Sequence, residues 1–195
     1  MVVSNVMPEL RKLAEDISII DGAPVRALGV PLPTRMIIVK LSDGSLWLNS
    51  PVSVSAQLLN GIKALGPVKY LVAPTKLHTW RLEGWHALFP DAELWMPPNS
   101  WDESKQALQD GVLGDTAPPS WARDLDQLVF KGNLFVQEVF FFHRRSRTLI
   151  VGDFIQNHRV EIGRPLLNWL WIIAGVAYPH GFCSPILYYF CCMML

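Results

Sequence analysis

The chain has 195 residues, half of them hydrophobic and 17% charged, with 17 Lys and Arg balanced by 17 Asp and Glu. That is enough apolar chain for one domain with a substantial buried core, and it excludes an intrinsically disordered protein. Zero formal charge and a neutral isoelectric point argue against a general nucleic-acid binder, which would carry a basic excess or stripe.

Three cysteines, Cys183, Cys191 and Cys192, all fall near the end, so no spaced disulfide framework is present and a cytoplasmic location is expected. The first sixteen residues carry charges early and do not read as a secretory signal. Met7, Leu10 and Leu13 have helical spacing, with Pro8 limiting the start. Ile17 to Ile20 and Val25 to Val30 read as short strands, and Pro31 and Pro33 are expected to break the run. Thr34 to Leu41 is a β-branched, apolar strand. Ser42-Asp43-Gly44 then signals a tight hairpin turn into a return strand, Leu46 to Asn49.

Ser53 is the expected N-cap of a helix whose apolar face is Val54, Leu58, Leu59, Ile62 and Leu65, stopped by Gly66. Val68 to Ala73 is a buried strand. A second helix is expected over Leu77 to Leu88, with Trp80 and Trp85 or Leu88 turned inward, then a strand over Ala92 to Met96. A helix over Ser100 to Gln109 and a strand over Gln127 to Lys131 follow. Glu138 to Asn157 (EVFFFHRRSRTLIVGDFIQN) reads as a hairpin, with strands Val139 to His143 and Thr148 to Gly152 around a solvated Arg144 to Arg147 tip. Asp153 stands where the second strand ends, a position that frees a carboxylate to face a ligand or metal.

No Asp, Glu, Lys or Arg follows Arg164. Leu166 to Tyr178 is an apolar run of about a dozen residues, whereas a spanning helix needs about twenty. Pro179, Gly181 and Pro185 interrupt it, so a packed helix over Pro165 to Ala177 is expected, with membrane contact through the uncharged tail as the lesser alternative. The pattern fits a single α/β or α+β layered domain of mixed sheets covered by helices.

The order TRMIIVKLSDGSLWLNSP, a helix, VKYLVAPTKLH, AELWMP and EVFFFHRRSRTLIVGDFIQN resembles the metallo-β-lactamase-fold superfamily, most nearly a family of uncharacterised lactamase-like domains. The resemblance covers about residues 20 to 181, leaving 182 to 195 as an atypical tail and suggesting a truncated C-terminus. It implies a four-layer αββα sandwich in which one or two ions, usually zinc, activate a water for hydrolysis. The superfamily's metal loop is His-x-His-x-Asp-His. Here the corresponding loop is Pro74-Thr75-Lys76-Leu77-His78-Thr79-Trp80, in which only His78 remains. Thr75 stands where the nearer family usually has Asn, and Thr79 where it has a second His. Asp153 matches the acid that bridges two metals, and His143 matches the nearer family's "FFH". A later histidine has no evident counterpart, since His180 comes too early.

The metal candidates are therefore His78, His143 and Asp153, set against plainer roles as turn-capping or backbone-bonded residues. Glu138 and His143 are five apart, so a regular strand points them to opposite faces. Asn49 and Ser50 close the strand that, by the resemblance, approaches the metal edge; a turn-forming role is expected of them, with orienting a ligand as the alternative. His86 and His158 are expected on the surface, and the tryptophans in the core or its rim. Two functions remain open: a metal-dependent hydrolase of unknown small-molecule substrate, holding zinc or another divalent ion, or a non-catalytic binding or scaffold domain that holds none.

Overall fold

The computed structural model describes residues 9–27, 30–98, 107–131, 137–158, 164–179 and 181–183. Its main sheet has seven strands in chain order: β1 (Arg11–Lys12), β2 (Ile17–Ala27), β3 (Val30–Lys40), β4 (Leu46–Asn49), β5 (Val68–Val72), β6 (Glu93–Met96) and β7 (Gly111–Val112). The first four run antiparallel, and β4 to β7 run parallel. A second sheet has β9 (Glu138–His143) between β8 (Leu125–Phe130) and β10 (Thr148–Ile150), all antiparallel. Two short strands, β11 (Ile155–Gln156) and β12 (Phe182–Cys183), pair with each other.

Alternation along the strands sorts the apolar side chains into two cores. One face of the main sheet, with Ile38, Leu46, Leu48, Leu71 and Leu94, packs against α1 (Ala56–Leu65) and α2 (Leu82–Leu88) through Leu58, Ile62, Leu82 and Trp85. The other face, with Val39, Trp47, Tyr70 and Val72, packs against Leu125, Val129, Val139, Phe141 and Ile150 of the second sheet. Trp121 sits at the centre of this inter-sheet core. Its ring meets Trp47 at 6.5 Å, Tyr70 at 4.9 Å and Trp95 at 4.8 Å, all edge-on. Edge-on contact suits the ring quadrupoles and adds to the burial of large apolar surfaces. The Trp121 indole N–H donates to Gln127, whose amide reaches the Gly114 carbonyl, so the polar groups at the centre of this core are bonded, while the buried Trp47 indole N–H has no hydrogen-bond partner among the described residues.

Several local expectations need correction. Pro31 and Pro33 do not end a strand: β3 runs through both, and Pro31 lies opposite Arg26. β4 reaches only Ile37 to Lys40, so the far side of β3 is open at the prolines and no ladder bond is forfeited there. The N-cap of α1 is Ser55, not Ser53; its hydroxyl accepts the Leu58 N–H at 3.1 Å, and Val54 lies outside the helix, exposed. The Leu77 to Leu88 helix is split into a 3-10 turn, Lys76–His78, and α2. Thr75 caps the turn by accepting the Leu77 N–H, and Trp80 and Leu88 point outward while Trp85 is buried. The Asp43-Gly44 turn is as expected, with Gly44 at φ +83°, where a β-carbon would be strained.

The Arg144 to Arg147 tip is tied down by ion pairs of Arg144 with Asp126 and of Arg145 with Glu15 and Asp16. The expected helix over Ser100 to Gln109 falls largely outside the described residues. The C-terminal helix α3 (Pro165–Ile173) is shorter than expected and is not packed as a core helix. No residue of it is buried, and Leu166, Trp169, Ile172 and Ile173 are all exposed. Apolarity all round made it read as a core helix, but the described chain covers it only in part, with the His158 ring stacked on Trp171. Among the described residues, no helix is long and apolar enough to cross a membrane.

Replacing Trp121 by alanine opens a large cavity between the sheets. Urea unfolding of Trp121→Ala should show a loss of about 3–5 kcal/mol; a loss near zero would deny the ring its central place.

Candidate functional site

The parallel strands β4 and β5 both end at one edge of the main sheet, where open α/β sheets place their ligand crevices. After β4 comes Ser50, whose backbone φ is +57°, the left-handed region that a non-glycine residue enters at a cost. Its N–H is held by the Val72 carbonyl at 2.9 Å. After β5 come Ala73, bonded to the Trp95 carbonyl, and Pro74, whose carbonyl takes the Val139 N–H at 2.9 Å. That last bond fastens the loop after β5 to β9, the middle strand of the second sheet. The following 3-10 turn then carries His78 over Gly152 and Asp153, just past β10.

His78 Nε2 lies 3.2 Å from Asp153 Oδ2. His78 Nδ1 lies 2.6 Å from Ser50 Oγ, and the Ser50 hydroxyl is also 3.0 Å from Asn49 Oδ1. Both ring nitrogens are therefore engaged. Beneath the pair, the buried Glu138 carboxylate accepts the Gly152 N–H on one oxygen and the Phe154 N–H, at 2.8 Å, on the other. A β-carbon on Gly152 would come within 3.2 Å of Glu138 Oε1 and 3.5 Å of His78 Cε1, so the small residue lets these groups close up.

Burial alone would lower the His78 pKa, but the charge and hydrogen bond of Asp153, joined by Glu138, outweigh it and raise the pKa above 6.5. Burial likewise opposes ionisation of Asp153, and the His78 charge and hydrogen bond outweigh it, bringing the pKa below 3.8. At Glu138 burial wins and pushes the pKa from 4.5 to about 7.

Of the three predicted site residues, His78 and Asp153 are brought together and His143 is not. His143 pairs with Thr148 and Leu125 at the far end of β9 from Glu138. It is 1% exposed, and its Nδ1 is 2.7 Å from Ser146 Oγ, so it fastens the hairpin turn. Burial lowers its pKa. Strand alternation keeps it off the face that carries Glu138, as the five-residue spacing implies. His158 is not a free surface residue, since its ring stacks on Trp171 at 4.0 Å. His180 lies outside the described residues. Two members of the edge, Ser50 and Glu138, are not among the metal candidates of the sequence. A lone acid opening an all-apolar strand was the available signal for Glu138, because a buried carboxylate needs partners. Ser50 was marked only by its place at the end of a strand expected to approach the metal edge.

A profile of a domain of unknown function (DUF4336) matches residues 24–165. The chain belongs to the DUF4336 family. Comparison with curated proteins returns no match. Among solved structures, a metallo-β-lactamase from Hirschia baltica is similar at 15% identity and TM-score 0.60, covering 80% of this chain and 76% of that one. A metallo-β-lactamase from Pontibacter korlensis is similar at 16% identity and TM-score 0.57, covering 96% and 98%. The DIM-1 metallo-β-lactamase gives 13% identity, TM-score 0.60 and 95% coverage of both chains. At such identities the likeness establishes the fold. This DUF4336 chain has the metallo-β-lactamase fold, and the edge built by Ser50, His78 and Asp153 is its candidate site.

A zinc site needs about three protein ligands. The 3.2 Å between His78 Nε2 and Asp153 Oδ2 suits two ligands of one ion. Among the described residues, no group of three or more His, Cys, Asp or Glu side chains is arranged to hold a metal. Among the described residues the donor set falls one short.

Two outcomes test this arrangement. Glu138→Ala strips the Gly152 and Phe154 N–H groups of their acceptor and should cost about 1–3 kcal/mol for each one left dry, read by chemical unfolding. The His78–Asp153 pair sets a pH window. The raised His78 pKa contributes stability that is full below 6.5 and lost as pH rises through the folded value. The lowered Asp153 pKa contributes stability that is full above 3.8 and lost as pH falls through the folded value. Asp153→Asn should therefore be most destabilised, relative to the natural chain, between pH 3.8 and 6.5. A difference independent of pH would dissolve the pair.

Proposed function

We propose that this DUF4336 domain is a metal-depleted relative of the metal-dependent hydrolases. In this reading it takes a small polar molecule at the Ser50–His78–Asp153 edge and holds no ion tightly. One observation carries the proposal: both nitrogens of the only histidine at the edge among the described residues are already bonded, one to Ser50 and one to Asp153. The Glu138 oxygens are taken by two backbone N–H groups, and His143 is committed to Ser146. Thr75 and Thr79, in the loop where ligands would stand, are buried and cap the 3-10 turn instead.

The metal-dependent reading keeps one point in its favour, the ligand-like spacing of His78 and Asp153. In that case zinc or another divalent ion would supply an activated water, and the third ligand would come from outside the described residues. Metal analysis separates the two readings. Protein purified and then dialysed after exposure to excess zinc should carry far less than one ion per chain, and Asp153→Ala should not change that content. Near-stoichiometric zinc, iron or manganese that falls in Asp153→Ala would overturn the proposal.

A further inference from the structure

We propose that Ser50 is a nucleophile: Ser50, His78 and Asp153 form a hydrogen-bonded relay that transfers the acyl group of small carboxylic esters. This rests on the reading that no ion occupies the edge, since an ion bound to His78 and Asp153 would draw both away from the relay.

The relay is complete in its connectivity. Ser50 Oγ is 2.6 Å from one ring nitrogen of His78, and the other ring nitrogen is 3.2 Å from a carboxylate oxygen of Asp153. These lengths are those of a nucleophile, its base and the group that orients the base. When Asp153 accepts the Nε2 proton, the neutral ring is left with Nδ1 as an acceptor aimed at the Ser50 hydroxyl. When the ring is protonated, Nδ1–H donates to Oγ instead and the hydroxyl proton turns to Asn49 Oδ1, 3.0 Å away. The same four groups thus accommodate both protonation states of the base, as a proton shuttle requires.

The placement of Ser50 is also that of a nucleophile. It follows directly on the last residue of β4, in a left-handed backbone conformation, and is half-buried, so a small reagent reaches it. Hydrolases with a strand-to-helix elbow store their serine in a strained turn at a strand end for the same reason, to lift Oγ out of the sheet. The strained backbone at Ser50 is held by the Val72 carbonyl on its N–H. A structural serine in a turn needs neither an unfavourable φ nor a histidine backed by an acid. The chain supplies its own comparison. Ser146 is likewise 2.7 Å from a histidine, His143, but it also bonds Thr148 and closes a hairpin turn in a different part of the fold.

In the transfer, Ser50 Oγ bonds to the ester carbonyl carbon as its proton passes to His78 Nδ1. The tetrahedral adduct then expels the alcohol, which takes that proton, and the acyl group is left on Ser50. Water releases the acid by the same steps in reverse order, its proton going to His78 and then back to Ser50. Atoms and charge balance without any further reactant. Asp153 is a positioning residue in this scheme, acting through His78.

The test is covalent labelling of the full chain with a fluorophosphonate and with p-nitrophenyl acetate, read by intact mass and by peptide mapping. One adduct is expected, on Ser50, formed equally with and without a chelator. Ser50→Gly, which suits the left-handed backbone, should abolish it. His78→Ala should slow it by about a hundredfold or more, and Ser146→Ala should leave it unchanged. In Asp153→Asn the pH at which labelling sets in should move downward, whereas mere loosening of the edge would lower labelling equally at every pH. No adduct on Ser50, an adduct that survives Ser50→Gly, or labelling indifferent to His78→Ala would each overturn the relay. Absence of label in metal-free protein defeats this inference alone. Absence of label in protein that retains stoichiometric metal defeats the metal-depleted reading as well.

Discussion

The architecture depends on how the second sheet is clamped to the first. Trp121 fills the space between them and touches Trp47, Tyr70 and Trp95, while Phe141 of the middle strand meets Trp47 at 4.8 Å. Interiors packed to this density tolerate neither sliding nor separation. With the sheets held by their aromatic faces, the Val139 N–H meets the Pro74 carbonyl, and a loop from one sheet is tied to a strand of the other. Every distance at the candidate site follows from that bond. Glu138 is the residue beside Val139, and Gly152 is bonded to Glu138. Asp153 is the residue beside Gly152, and His78 ends the 3-10 turn that begins two residues past Pro74.

The site that results is small and electrostatically tight. Two carboxylates and an imidazole share a half-buried edge where solvent screens them only in part; the His78 and Asp153 side chains are 23% and 32% exposed. In such a place, charges cannot be left unmatched. Asp153 stays ionised because His78 is there, and Glu138, with backbone donors but no cation of its own, is pushed to about 7. Direct contact between the Asp153 carboxylate and the His78 ring thus supplies the opposite charge that each requires. Ser50 completes the arrangement from the neighbouring strand end. Its strained backbone is maintained by the same sheet edge that positions the loop after β5.

Much of this was legible in the sequence, and the rest shows where local rules stop. Asp43-Gly44 announced its turn because only a residue without a β-carbon sits comfortably at φ +83°. The Glu138 to Asn157 hairpin announced itself through two apolar runs around a polar Arg144 to Arg147 tip, and the resemblance carried by the order of strand motifs implied two sheets that would set the His78 loop beside Asp153. The errors lie where the environment, not the local pattern, decides. Proline breaks a strand that has neighbours on both sides, but β3 has an open side at Pro31 and Pro33. A uniformly apolar helix should be buried, but α3 lies exposed among the described residues. His143 looked like a ligand by its motif, and the motif says nothing about which end of a strand faces the loop after β5.

The sequence by itself determined the periodicities: which segments are strands and where the chain turns. That one carboxylate and one loop histidine share an edge was implied only by its resemblance to a known fold. Tertiary structure alone decided what that edge contains. Ser50 and His78 are 28 positions apart and Asp153 lies a further 75 along, so no local pattern couples them; they meet only because two sheets close on an aromatic core. Glu138 is polar in sequence and buried in space, and whether such a group is a liability or a bonded support depends on the two N–H groups that the fold brings to it. Periodicity is written in neighbouring residues, whereas the distance between chemical groups is set by packing.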